Sequence, residues 1–177
     1  MREMKIVTYN PNWANQYDDI ENEIMCAFQY VNIGVFHIGS TSIKNMPAKP
    51  IIDVLVVFDS LKDCDQYLSS LTSIGYIFKG ENGIQGRRYF QKFHIDGVNH
   101  IAHIHCFEKN SDEIYNHLLF KKYLSINKEA FQKYLNVKIE ASNLYLNSSL
   151  LYTEHKSQCI QEILEEAKQI FSKDEIL

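Results

Sequence analysis

Three groups of side chains in this sequence have the types and spacing that phosphate chemistry requires. The first is the turn Gly39-Ser40-Thr41-Ser42, which follows an apolar run ending at Ile38. A glycine–serine corner after a strand can aim backbone N–H groups and a hydroxyl at a phosphate. The second is Asp53, set inside the apolar run Ile51 to Phe58. An ionised carboxylate in a buried strand is costly unless it is paired or holds a cation. A divalent metal bound to a phosphate would account for it, whereas an acid at a strand mouth accepting loop N–H bonds is the plainer reading. The third group is His103 and His105, which alternate on one strand and so share a face. With His37 on a neighbouring strand they complete a candidate metal set of Asp53, His37, His103 and His105. A divalent ion, Mg or Mn, is expected, although imidazole ligands suit Zn²⁺ or Mn²⁺ better than Mg²⁺.

Cations gather around these groups. Lys44, Lys49, Arg87, Arg88 and Lys92 fall in the segments beside the turn and the strands. Lys49 and Arg87 are expected to offset charge on a phosphoryl group, and His105 to act as general base or as a metal ligand. Tyr152 and Lys156 are one helical turn apart, so they can address the same pocket.

The elements that must position these residues are legible in the apolar periodicity. Asn10-Pro11 reads as a helix start, followed by Trp13, Tyr17, Ile20 and Ile24 on one face. Short apolar strands over Gly34–Ile38 and Ile51–Phe58 suit the centre of a sheet. Ser60 begins a helix that Gly75 stops, and a short strand runs to Lys79. A flexible loop from Gly80 to Gly86 precedes two strands, Arg87–Ile95 and Val98–Phe107, joined by an Asp96-Gly97 turn. Asn110 with Glu113 is expected to cap a helix and Asn127 a second; a final helix is expected from about Ser149, with Ser172–Leu177 fraying. The fold class is therefore α+β (α/β): a mixed sheet packed against helices, followed by a C-terminal helical segment. One domain over 1–177 is expected, with an α/β core in 1–108 and helices in 109–172.

Composition narrows the function. At 177 residues with 45% hydrophobic and 23% charged, the chain is of ordinary globular make-up. A net charge of −4 disfavours a protein that coats nucleic acid. The four cysteines lack paired spacing and read as small buried hydrophobes of a reducing compartment. No apolar stretch approaches membrane-spanning length, so a cytoplasmic protein without membrane partners is expected.

The HIGSTS turn (His37–Ser42), Ala48-Lys49-Pro50-Ile51-Ile52-Asp53, Arg87-Arg88-Tyr89-Phe90, His103-Ile104-His105 and Leu119-Phe120-Lys121-Lys122-Tyr123-Leu124 together resemble the GrpB family, a branch of the nucleotidyltransferase superfamily. Similarity runs from Val7 to about Ala167. The resemblance implies a nucleotidyltransferase-like fold, binding of a nucleotide or phosphorylated small molecule with a divalent metal, and phosphate contacts from Lys121 and Lys156. The superfamily pattern places a second acid two residues after the first. Here that position is Leu55. Nucleotidyl transfer is thus weighed against a non-catalytic nucleotide- or phosphate-binding module and a metal-dependent phosphohydrolase.

Overall fold

The computed structural model describes residues 5–177. Helix α1 (Trp13–Ala27) leads to strand β1 (Ile33–Ile38), a single 3-10 turn (Ser40–Ser42) and β2 (Ile52–Phe58). Short helices α2 (Leu61–Gln66) and α3 (Leu68–Ser73) are followed by β3 (Tyr76–Phe78), β4 (Arg87–Phe93) and β5 (His100–Glu108). Three long helices close the chain: α4 (Asp112–Ile126), α5 (Lys128–Leu144) and α6 (Ser149–Lys168). The sheet order is β1-β2-β5-β4-β3. Only the central pair β2–β5 is parallel; the other pairs are antiparallel. The mixed sheet and helical C-terminus agree with the sequence reading.

Register decides which residues can meet, because side chains alternate between the two faces of a strand. One face carries the rungs Ile38–Asp53–His103–Gln91, then Phe36–Leu55–His105–Tyr89, then Gly34–Val57–Phe107–Arg87. The other carries His37–Val54–Ile104–Phe90 and Val35–Val56–Cys106–Arg88. α1, α2 and α3 cover this second face, where Trp13, Ile20, Ile24 and Phe28 pack on Val54, Val56 and Ile104. On the first face, Ile114 of α4 closes over Ile38, Leu55 and Phe107. α4, α5 and α6 share a further core of Leu119, Tyr123, Tyr134 and Ile163, into which Ile43 and Met46 from the loop before β2 are inserted.

Several local expectations are corrected. Asn10-Pro11 forms a turn ahead of α1: the Asn12 N–H donates to Asn10 Oδ1 at 3.0 Å, and the helix starts at Trp13. The helix after Ser60 is two pieces broken at Tyr67. The β4–β5 connection is a six-residue loop, 94–99, because Asp96 accepts from the N–H groups of Val98 and Asn99 at 2.9 Å each, which a two-residue turn cannot arrange. Ser111, not Asn110, caps α4, accepting from the Glu113 N–H. Asn110 instead has φ 74°. Residues 172–177 are not frayed: Ser172 and Glu175 form a capping box around a 3-10 turn, and Lys173 pairs with Asp112 at 2.5 Å. Cys64, Cys106 and Cys159 are buried, but Cys26 is exposed. Among the described residues no helix is long and apolar enough to cross a membrane.

Candidate functional site

Asp53, the second residue of β2, is the centre of a chain of polar groups on the α4–α6 face. Its side chain keeps 31% of its exposure. His103 Nδ1 lies 3.2 Å and His105 Nε2 3.9 Å from Asp53 Oδ1. On its far side His105 Nδ1 meets Arg87 Nη1 at 3.3 Å, and His103 Nε2 meets His100 Nδ1 at 2.8 Å. Burial alone would raise the Asp53 pKa, but the two imidazole contacts outweigh it and hold the carboxyl below the usual range. Burial lowers the His105 pKa, against the pull of Asp53. Arg87, 5% exposed, is tied by its other N–H groups to the Glu81 and Asn82 carbonyls and stacks on Tyr89. His117 of α4 stands 5.4 Å from the His105 ring. Its Nε2 is buried without a partner among the described residues, and burial with His105 beside it takes its pKa down to about 3.

The corner Gly39–Ser42 borders this carboxylate directly. Gly39 has φ 69°, and a Cβ there would lie 2.9 Å from Asp53 Cβ. The hydroxyls of the corner have different fates. Thr41, 4% exposed, sits 3.0 Å from His37 Nε2 and donates to Ile51 O at 3.4 Å. Ser42 donates to Gly39 O at 2.7 Å. These two brace the turn itself. Ser40 Oγ makes no hydrogen bond among the described residues, so it is the hydroxyl of the corner that can reach a ligand.

The helical wall opposite supplies positive charge. Tyr152, 1% exposed, lies between two ammonium groups: Lys49 Nζ at 3.8 Å and Lys156 Nζ at 4.3 Å from its ring centroid. Cation–π contact of this kind is worth about 0.5–2 kcal/mol. Lys138 of α5, also 1% exposed, donates to Pro47 O at 2.6 Å and stands 5.3 Å from the Tyr134 ring. Burial, then Lys156, then Lys49 bring its pKa down to about 7, with Asp53 acting in the opposite direction. Lys138 was not anticipated as a site residue. The signal was present, since a lysine stands among Phe131, Tyr134, Leu135 and Ala141 on the apolar face of α5.

Four anticipated residues are placed elsewhere. His37 is on the opposite sheet face, stacked on Tyr17 at 4.7 Å, and burial followed by Lys121 lowers its pKa to about 4. It does not join Asp53, His103 and His105. Arg88 is also on that face, in a two-pronged pair with Asp65 of α2 at 2.6 and 2.8 Å. Lys92 pairs there with Glu23 of α1 at 2.6 Å. Lys121 donates to His37 O at 2.8 Å and so fastens α4 to β1. Among the described residues no three His, Cys, Asp or Glu side chains are placed to hold one metal ion. Leu55, at the position of a second acid, is 0% exposed. The donor set around Asp53 does not fit a preassembled divalent-cation site.

The description "GrpB protein" belongs to the family model that matches residues 3–166. The UPF0157 protein YqkA of Bacillus subtilis is 43% identical over 123 residues, 70% of this chain. The chain spans only 35% of YqkA. The crystal structure of the conserved protein GrpB from Enterococcus faecalis superposes with a TM-score of 0.85 at 32% identity, over 93% of this chain and 98% of that one. Cid1 poly(U) polymerase in its MgATP-bound form gives a TM-score of 0.58 at 15% identity, over 81% of this chain and 46% of Cid1. The Cid1 likeness extends to the fold of a nucleotidyltransferase and no further. A family match over nearly the whole chain, with a family structure of the same architecture, makes this protein a member of the GrpB family on a nucleotidyltransferase-like fold.

Proposed function

We propose that the Asp53 face of the sheet and the α5–α6 wall border a crevice that binds a nucleotide or another phosphorylated small molecule. The observation that carries this reading is Lys138. A buried ammonium group with two further lysines close enough to lower its pKa is a cost to the fold that an anionic ligand would offset. Neither Lys138 nor Lys156 has a carboxylate within ion-pair distance among the described residues. The phosphates would lie against Lys49, Lys138 and Lys156, with Ser40 and the backbone of the corner at one end and Arg87 at the other. Nucleotidyl transfer from the bound ligand is the second reading. It is favoured by the chain Arg87–His105–Asp53, which simple binding does not need, and it draws on the likeness to Cid1, a poly(U) polymerase.

Binding is tested by titrating the protein with each nucleoside triphosphate and with tripolyphosphate, followed calorimetrically and by thermal shift. Lys138→Met is expected to weaken binding about 10- to 100-fold, the worth of one charged hydrogen bond in a buried site. Unchanged affinity in that variant would remove the lysine cluster from the site. Pyrophosphate release from a triphosphate, dependent on an acceptor, would establish transfer.

The low Lys138 pKa also fixes the sign of two pH effects. In the unfolded chain this lysine titrates near 10.5, and in the fold at about 7. Between those values the unfolded state binds the extra proton, so this group adds stability to the ligand-free fold as pH rises through that window. An anion restores the charged form. Ligand affinity should therefore fall above about pH 7, and binding at pH 8 should take up a proton. The measurement is the dependence of the calorimetric enthalpy on buffer ionisation enthalpy; no dependence would show that Lys138 stays charged throughout.

A further inference from the structure

We infer that the crevice takes up the polyphosphate of its ligand without a divalent cation, the neutralising charge coming from Lys49, Lys138, Lys156 and Arg87. The inference rests on the reading of the crevice as a phosphate site and names what balances the charge there.

The hydrogen-bond directions around Asp53 can be assigned from donor chemistry alone. A guanidinium carries only N–H donors, so His105 Nδ1, 3.3 Å from Arg87 Nη1, must accept. The His105 proton is then on Nε2, the nitrogen that faces Asp53. A carboxylate only accepts, so His103 Nδ1, 3.2 Å from the same oxygen, also carries its proton. On its other side His103 Nε2 shares one proton with His100 Nδ1 at 2.8 Å. The Asp53 carboxylate thus accepts from both rings, with Arg87 donating to His105 behind it. Both ring nitrogens turned toward Asp53 hold protons, and a protonated ring nitrogen cannot ligate a metal. The other carboxylate oxygen is packed against Gly39.

The rest of the expected clamp is absent for a structural reason. Leu55 shares the Asp53 face but is sealed beneath Ile38, Phe107 and Ile114, so no nearby acid can serve from that strand position. Cations occupy the other side of the crevice instead. Lys49 and Lys156 flank Tyr152, Lys138 lies behind them, and Asp53 is near enough to act on the Lys138 pKa. Fixed ammonium and guanidinium groups can neutralise phosphate oxygens as a bound Mg²⁺ does, and need no hydration shell to be stripped.

The test is calorimetric titration of tripolyphosphate and ATP into metal-stripped protein, once in excess EDTA and once in excess Mg²⁺ or Mn²⁺. Equal affinity within about threefold is expected in the two buffers, with loss of binding in EDTA in both Lys138→Met and the milder Lys156→Ala. The second variant, on a half-exposed residue, covers the case in which the first fails to fold. Binding that needs the metal, or that the metal strengthens tenfold or more unless Asp53 is changed to Asn, would overturn the inference while leaving the phosphate site standing. Mn²⁺ broadening of the His103 and His105 ring resonances would overturn it by an independent route. Absence of binding in both buffers would overturn the phosphate site as well.

Discussion

Replacing Leu55 by aspartate, the change that would recreate the acid pair of the superfamily, is expected to destabilise the protein by about 4 kcal/mol or more instead of creating a metal clamp. Leu55 is 0% exposed and packs with Ile38, Phe107 and Ile114. The substitution removes most of a leucine from that contact, at about 2–5 kcal/mol for a buried site. It also buries a carboxyl among Ile38, Phe107 and Ile114, and burial disfavours its ionised form. Leu55→Met, which preserves volume, should cost less than about 1.5 kcal/mol and provides the control. Urea unfolding of the three proteins decides the matter. If Leu55→Asp were as stable as the parent and bound Mg²⁺, the seal over Leu55 would have to be wrong.

Gly39→Ala is the second large effect. The residue has φ 69° and ψ −174°, a region essentially confined to glycine that costs an L-residue roughly 1–3 kcal/mol. The added methyl would also approach Asp53 Cβ to 2.9 Å and its Cγ to 3.1 Å, with backbone-anchored atoms that have little room to move. Overpacking of that kind adds roughly 1–3 kcal/mol, for a total of about 2–6 kcal/mol. The displacement should be visible beyond stability. Moving the carboxylate breaks its contacts to His103 and His105, so the imidazole resonances of both should shift in the variant. Loss of stability without any change at those two rings would mean that the corner and the carboxylate are independent.

Most of the secondary structure could be read from apolar spacing, because α5 and α6 keep a helical period over several turns and β2 is a nearly unbroken apolar run. The corner, Asp53 and the His103–His105 pair were legible as well, since each is a local pattern of residue types. What could not be read was which side of the sheet a neighbouring residue occupies. His37 and Ile38, or Arg87 and Arg88, differ by one position, and one position reverses the face. The register that places Ile38 beside Asp53 and leaves His37 against Tyr17 is set by pairing across strands, which no local pattern contains. Arg88 was drawn away by Asp65, and Lys121 by a backbone carbonyl, both tertiary partners. Lys138 was hidden for the opposite reason: it sits in a regular apolar stripe, and its significance appears only when Lys49 and Lys156 arrive from other segments.

The clasp of Lys121 on His37 has an effect on how the molecule behaves in a crowd. β1 is a border strand of the sheet, and such strands invite neighbouring molecules to join them backbone to backbone. With an ammonium group seated on the carbonyl of His37, part of that template is already filled. At the opposite border β3 is three residues long, too brief to recruit a partner strand firmly. Both margins of the sheet are thereby blunted against runaway self-association.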